Sequence, residues 1–239
     1  MTDIEALLAR LAGELLSAGA RAVVLVGSHA RGSATALSDV DLYALGVGSE
    51  YTLRREDGFL VSVSWRTPAA VRETFASASE AILAVPAWRR ARILRDHGGE
   101  AHALQQEAIN WSWERVPDID RSCAEDLTGY AEDAQKLRWA LQVGDLTSAA
   151  IWRNVIAMRM AAILAVHYRL LLDREEDTWP AVSERMGEPW RTTQVAALGI
   201  GVDFEHSCEA AISLARMTKM VIAPSMTDEQ RAVVSVTFG

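Results

Sequence analysis

The sequence predicts an α+β fold in two parts, a small mixed-sheet unit followed by a bundle of helices. Short apolar, β-branched runs separated by turn signals are confined to the N-terminal part, up to Asp96. From about Ala101 onward, apolar residues recur at helical spacing almost throughout. The chain has 239 residues, half of them hydrophobic and 23% charged. That is an ordinary globular composition, long enough for a core in each part. A boundary at Val116-Pro117 gives domains 1–116 and 117–239.

The first helix is expected over Ile4 to Ser17, with Ile4, Leu7, Leu8, Leu11, Leu15 and Leu16 at helical spacing and Gly19 as its stop. Ala22 to Val26 reads as a buried strand. A turn-rich segment, Gly27 to Ser38, leads to a second strand, Val40 to Leu45. Tyr51 to Arg55 and Phe59 to Trp65 are two strands around a turn at Glu56-Asp57-Gly58, and Ala91 to Leu94 is one more. Pro68 opens a short helix through Phe75. Helices then follow over Ala101–Glu114, Ser122–Val143, Thr147–Leu172, Trp179–Met186 and Phe204–Met220, with breaks at Pro117, Gly144-Asp145, Pro180, Gly187-Glu188-Pro189 and Pro224. Such a run reads as an antiparallel bundle.

Charge and cysteine content exclude some classes. Lys+Arg 24 against Asp+Glu 32 leaves a net charge of -8, a poor surface for nucleic acid and a better one for a cationic small molecule. Lysine occurs only at Lys136 and Lys219. Cys123 and Cys208 make no disulfide framework, and the acidic start Met-Thr-Asp-Ile-Glu has no signal-peptide pattern, so a reducing cytoplasm is expected. Ile151 to Leu172 is apolar but carries Arg153, Arg159, His167 and Arg169, which suits a core helix and no membrane span.

The chemistry concentrates at Gly27-Ser28-His29-Ala30-Arg31-Gly32-Ser33 and Ser38-Asp39-Val40-Asp41. A strand that ends on glycine lets backbone approach a ligand closely, and Ser28 offers an amide and a hydroxyl to phosphate oxygens. Asp39 and Asp41, two residues apart, fall on one face of a strand. Two hard oxygen ligands beside a phosphate cradle suit Mg²⁺ carried by a nucleoside triphosphate.

This arrangement resembles the nucleotidyltransferase superfamily that includes DNA polymerase β. Leu60 to Trp65, Ile93 to Gly99, Tyr130 to Arg138 and His167-Tyr168-Arg169 follow in the order found in the aminoglycoside nucleotidyltransferases, kanamycin nucleotidyltransferase among them. The resemblance implies a polymerase β-like domain and transfer of a nucleoside monophosphate, AMP from ATP foremost, to a hydroxyl of a small polar, aminoglycoside-like acceptor. Ser28 and Arg31 then hold the triphosphate, Asp39 and Asp41 bind Mg²⁺, Glu132 is the general base, and Lys136 contacts the phosphates. A homodimer is implied as well.

One departure stands out. The family's third metal carboxylate falls where this chain has Ser62, and Ser64 is no acid either. Either one firmly held ion suffices, or Glu56, Asp57 or Asp96 compensates, or the chain binds nucleotide without turning it over. On the helix Ser122–Val143, Leu127, Tyr130, Ala134, Leu137 and Leu141 form the expected core stripe, while Glu132, Lys136, Trp139 and Val143 share the opposite face. That face either looks into a cleft or carries a surface pair with Trp139 at a subunit contact. His29 either touches the triphosphate or sits on the turn's surface, and Trp111 and Trp113 either line a cleft or seal the two domains.

Overall fold

The computed structural model describes residues 4–238, so the start of the chain, read above as carrying no leader, lies outside the described residues. Contacts gather the chain into two compact units. One runs to Val116 and takes in Leu171–Arg174; the other holds Pro117–Leu170 and the residues from Glu175 onward.

In the first unit, α1 (Ile4–Ser17) is followed by β1 (Ala22–Val26), β2 (Val40–Leu45), β3 (Tyr51–Glu56), β4 (Phe59–Arg66) and, after two helices, β5 (Arg92–Asp96). The five strands form one mixed sheet in the order β3-β4-β2-β1-β5. Only β2 and β4 run parallel; β1 pairs antiparallel with both β2 and β5, and β3 with β4. Period-two alternation sorts the faces. Val23, Leu25, Leu42, Ala44, Val61 and Val63 point to the side covered by Leu7, Leu8, Leu11 and Leu15 of α1, and this layer is the unit's core. Asp41, Tyr43, Ser62 and Ser64 point to the other side.

The segment expected as turn from Gly27 begins instead with one helical turn, α2 (Gly27–Arg31), closed by Gly32 at φ 72. The β3–β4 connection is a tight hairpin through Asp57 (φ 49) and Gly58 (φ 93), the two left-handed positions that its twist demands. After α3 (Pro68–Ala76) comes a helix the periodicity did not suggest, α4 (Ala78–Arg89), which accommodates Pro86 within its last turns. The helix expected to reach Glu114 stops earlier, as α5 (Glu100–Ile109).

The second unit is helical. α6 (Ile119–Val143) turns back through Gly144 into α7 (Leu146–His167). α8 (Thr178–Met186), α9 (Glu188–Ala197), α10 (Phe204–Ile222) and α11 (Asp228–Phe238) complete the bundle. The break expected at Gly187-Glu188-Pro189 falls at Gly187, between α8 and α9, whereas Pro180, expected as another break, lies in the first turn of α8; it and Pro189, in the first turn of α9, sit where a missing N–H costs nothing. α7 ends at His167, short of Leu172; Arg169 turns left-handed (φ 54), and Leu172 donates its N–H to the Ile82 carbonyl of the first unit's own set of residues. By length and composition α7 could cross a membrane, yet half of it is buried inside the unit. The core stripe of α6 is Leu127, Ala131, Ala134, Leu137 and Ala140; Tyr130 and Leu141, expected in it, are only partly buried. Small alanines at the helix contact let α7 approach closely, and the bulkier pair is turned to the flank. Both cysteines are buried free thiols, and burial pushes Cys123 up to about 12, out of reach of thiolate chemistry.

Candidate functional site

The antiparallel register of β1 with β2 sets Val26 opposite Asp41, so the end of β1 and the start of β2 meet at one edge of the sheet. Chain direction does the rest. Gly27 leaves β1 with φ +71, and a Cβ at this position would stand 2.5 Å from Asp41 Oδ2. Glycine is required there twice over, for the backbone and for the carboxylate pressed against it. Ser28 follows in the first turn of α2, where amide groups lack intrahelical partners.

Asp41 is partly buried, and Asp39 is exposed just ahead of the strand. Burial pushes the Asp41 carboxyl up from the usual carboxylate range; the Ser62 hydrogen bond pulls it down, the Asp39 charge raises it, and His29 and Arg31 lower it. Those influences mark the five side chains as one electrostatic neighbourhood. The parallel β2–β4 ladder places Ser62 beside Asp41, and Ser62 Oγ donates to Asp41 Oδ1 at 2.6 Å. Sequence reasoning saw Ser62 as a missing acid and gave it no task. It clamps the acid that remains, and strand parity was the signal that could have shown this.

Arg31 donates to the Asp173 carbonyl at 3.1 Å. His29 sets its ring edge-on to Phe59, with centroids 6.0 Å apart, and its Nε2 is buried without a hydrogen-bond partner.

None of the three suggested substitutes for the third acid is placed to serve. Asp96 pairs with Ala22, at the opposite end of β1 from Val26, about 13 Å away along a strand of four steps. It receives the His102 amide and Nδ1 instead. Glu56 and Asp57 both accept from Arg10 of α1. Among the described residues no group of three or more histidine, cysteine or carboxylate side chains gathers where a metal could be held. Asp39 and Asp41 do fit a single divalent cation: two neighbouring carboxylates, one partly desolvated, repel each other until a cation shares them. Among the described residues no further carboxylate joins them to hold a second ion.

Glu132 and Lys136 lie on α6 of the second unit and pair with each other, Nζ to Oε1 at 2.8 Å. The hydrogen bond from Lys136 holds Glu132 below the usual carboxylate range. Lys136 also lies 4.5 Å over the Trp152 ring. Trp139 and Val143 are exposed on the same face, as expected. Trp111 donates its indole N–H to the Phe75 carbonyl and meets Trp113 edge-on, which makes it a packing residue of the first unit.

No known protein-family model matches the chain, and no curated protein sequence does. Among solved structures, the fold is similar to that of a nucleotidyltransferase-like protein from Exiguobacterium sibiricum 255-15. The match has a TM-score of 0.56 at 13% identity and covers 93% of this chain and 77% of that one. The architecture is therefore a nucleotidyltransferase fold followed by a helical region.

Proposed function

We propose that the chain is a nucleotidyltransferase that moves a nucleoside monophosphate, AMP foremost, from a nucleoside triphosphate to a hydroxyl of a small acceptor. The observation that carries this is Gly27 pressed against Asp41, with Asp39 beside it and Ser28 opening a helix, on that fold. Asp39 and Asp41 would hold Mg²⁺, which when bound neutralises charge on the phosphate oxygens. Ser28 and the first amides of α2 would bind the outer phosphates, and the sequence resemblance gives Arg31 to them as well. The acceptor oxygen forms a bond to the α-phosphorus, the bond from that phosphorus to the bridging oxygen breaks, and pyrophosphate leaves with the electron pair. The hydroxyl proton passes to a carboxylate; the sequence resemblance gives that role to Glu132 and a phosphate contact to Lys136. The same resemblance is the ground for a homodimer and, with the net charge of -8, for an aminoglycoside-like acceptor as the first candidate to assay; the two lone cysteines and the acidic start are the ground for a cytoplasmic setting.

Pyrophosphate release from Mg·ATP against a panel of hydroxylated acceptors tests the reading. Release that disappears in Asp39→Asn and Asp41→Asn supports it; near-normal turnover in either variant removes it. A second reading, a nucleotide-binding regulator, is favoured by Ser62 standing where the third acid belongs. It expects Mg·ATP binding with no pyrophosphate from any acceptor.

A further inference from the structure

On the β4 side of the acid pair, the same end of the sheet opens into a cavity of about 280 Å³ between the loop before Asp39 and the β3–β4 hairpin. Leu37, Phe59 and Leu60 line it together with Ser38 and Arg55. Leu37 is 96% exposed and Leu60 47%, apolar surface left open beside a polar site. No carboxylate lines this cavity among the described residues. Glu56 and Asp57, the acids of the hairpin, are occupied by Arg10 at 3.1 and 2.9 Å.

We propose that this cavity receives the acceptor, and that the acceptor presents to it an aromatic, hydroxyl-bearing group that is neutral or anionic rather than polycationic. The inference rests on the nucleotidyl-transfer reading above and replaces its aminoglycoside-like acceptor with another class. In-line displacement sets the entering oxygen opposite the departing pyrophosphate. The phosphate anchor leads off β1, the acids begin β2, and β4 is the next strand over. With pyrophosphate leaving on the β1 side, the acceptor hydroxyl enters from the β4 side, where the cavity lies. A ring there packs on Leu37, Phe59 and Leu60, and the Arg55 guanidinium pairs with a carboxylate or stacks on the ring face. A polycation meets that guanidinium as a like charge, with no acid in the lining to offset it. The bond changes are those of the transfer itself: oxygen to α-phosphorus formed, bridging oxygen released with pyrophosphate, proton to the carboxylate base.

The test uses the full chain with Mg²⁺ and a non-hydrolysable ATP analogue, titrated with 4-hydroxyphenylacetate and related phenolic acids in one arm and kanamycin in the other. Leucine methyl resonances report where each lands. Shifts at Leu37 and Leu60 with the phenolic acids are expected, with affinity falling about tenfold in Arg55→Glu and in Leu60→Asp. Three results each overturn the inference: no methyl response to any phenolic acid, unchanged affinity in both variants, or kanamycin moving the same methyls at equal or lower concentration. Binding of the ATP analogue is read in the same samples. If it binds while the methyls stay silent, nucleotidyl transfer stands and the acceptor assignment alone is lost; if it does not bind, both fall.

Discussion

Replacing Gly27 by alanine probes the tightest contact in the site, and Gly32 supplies its control. The two glycines hold nearly the same backbone, φ +71 and +72, but only at Gly27 does an added Cβ collide, 2.5 Å from Asp41 Oδ2. Nothing lies within 4 Å of a Cβ on Gly32. Both substitutions carry the cost of a left-handed alanine, about 1–2 kcal/mol. Gly27→Ala adds the collision, about 1–3 kcal/mol by the measure of overpacked interiors. Asp41 is not free to swing aside, because Ser62 holds its other oxygen at 2.6 Å. In a chain of this size each kcal/mol moves Tm by about 2–4 °C. Gly32→Ala should therefore melt a few degrees below the parent, and Gly27→Ala several degrees lower again. Calorimetric titration with Mg·ATP completes the assay: Gly32→Ala binds as the parent does, and Gly27→Ala binds at least about tenfold more weakly for a 1.4 kcal/mol loss. Equal melting of the two variants with equal Mg·ATP affinity refutes the argument that Gly27 exists to seat Asp41.

Other expectations follow from the same geometry. The fold raises the pKa of Asp41 chiefly through burial, so ionised Asp41 weakens the metal-free protein as pH rises through that value. Asp41→Asn should raise the urea midpoint at neutral pH, with the gain vanishing in acid below the ordinary aspartate range; a gain that persists on acidification contradicts the cause given. Ser62→Ala removes a hydrogen bond to a charged group, a loss of about 1.5–3 kcal/mol read from the urea midpoint, and should raise the Mg²⁺ concentration needed for half-maximal turnover at the same time. Ser62→Glu should change the Mg²⁺ concentration at half-maximal rate, and an unchanged rate and dependence would count against the single-ion account. Trp139, 60% exposed on α6, is the residue on which a homodimer is staked. Light scattering should give a dimer for the parent chain and a monomer for Trp139→Glu, and identical masses would remove Trp139 from any interface.

Much of this was legible in one dimension, for identifiable reasons. The strands Ala22–Val26 and Val40–Leu45 and the helix Ile4–Ser17 were expected at the bounds the structure gives them, because each is a dense apolar run closed by a turn residue. Gly27-Ser28 and Asp39-x-Asp41 were visible because the chemistry lies within fifteen consecutive residues. α4, α9 and α11 escaped, since a proline within or at the head of a helix, or a polar short helix, mutes the periodic signal. On α6 the stripe was read from the large residues, whereas the packed contact uses alanines.

What the residues determine alone, then, is the alternation of apolar and polar positions, the glycine that permits a left-handed exit from β1, and the two acids two positions apart; all are local properties of adjacent side chains. What needed the folded chain is pairing between distant segments. The parallel β2–β4 register makes Ser62 the partner of Asp41, the antiparallel β1–β5 register sends Asp96 to the opposite end of β1, and the loop before Asp39 meets the β3–β4 hairpin at the cavity of Leu37 and Leu60. No spacing along the sequence encodes such neighbours, because strand order is chosen by which faces bury together.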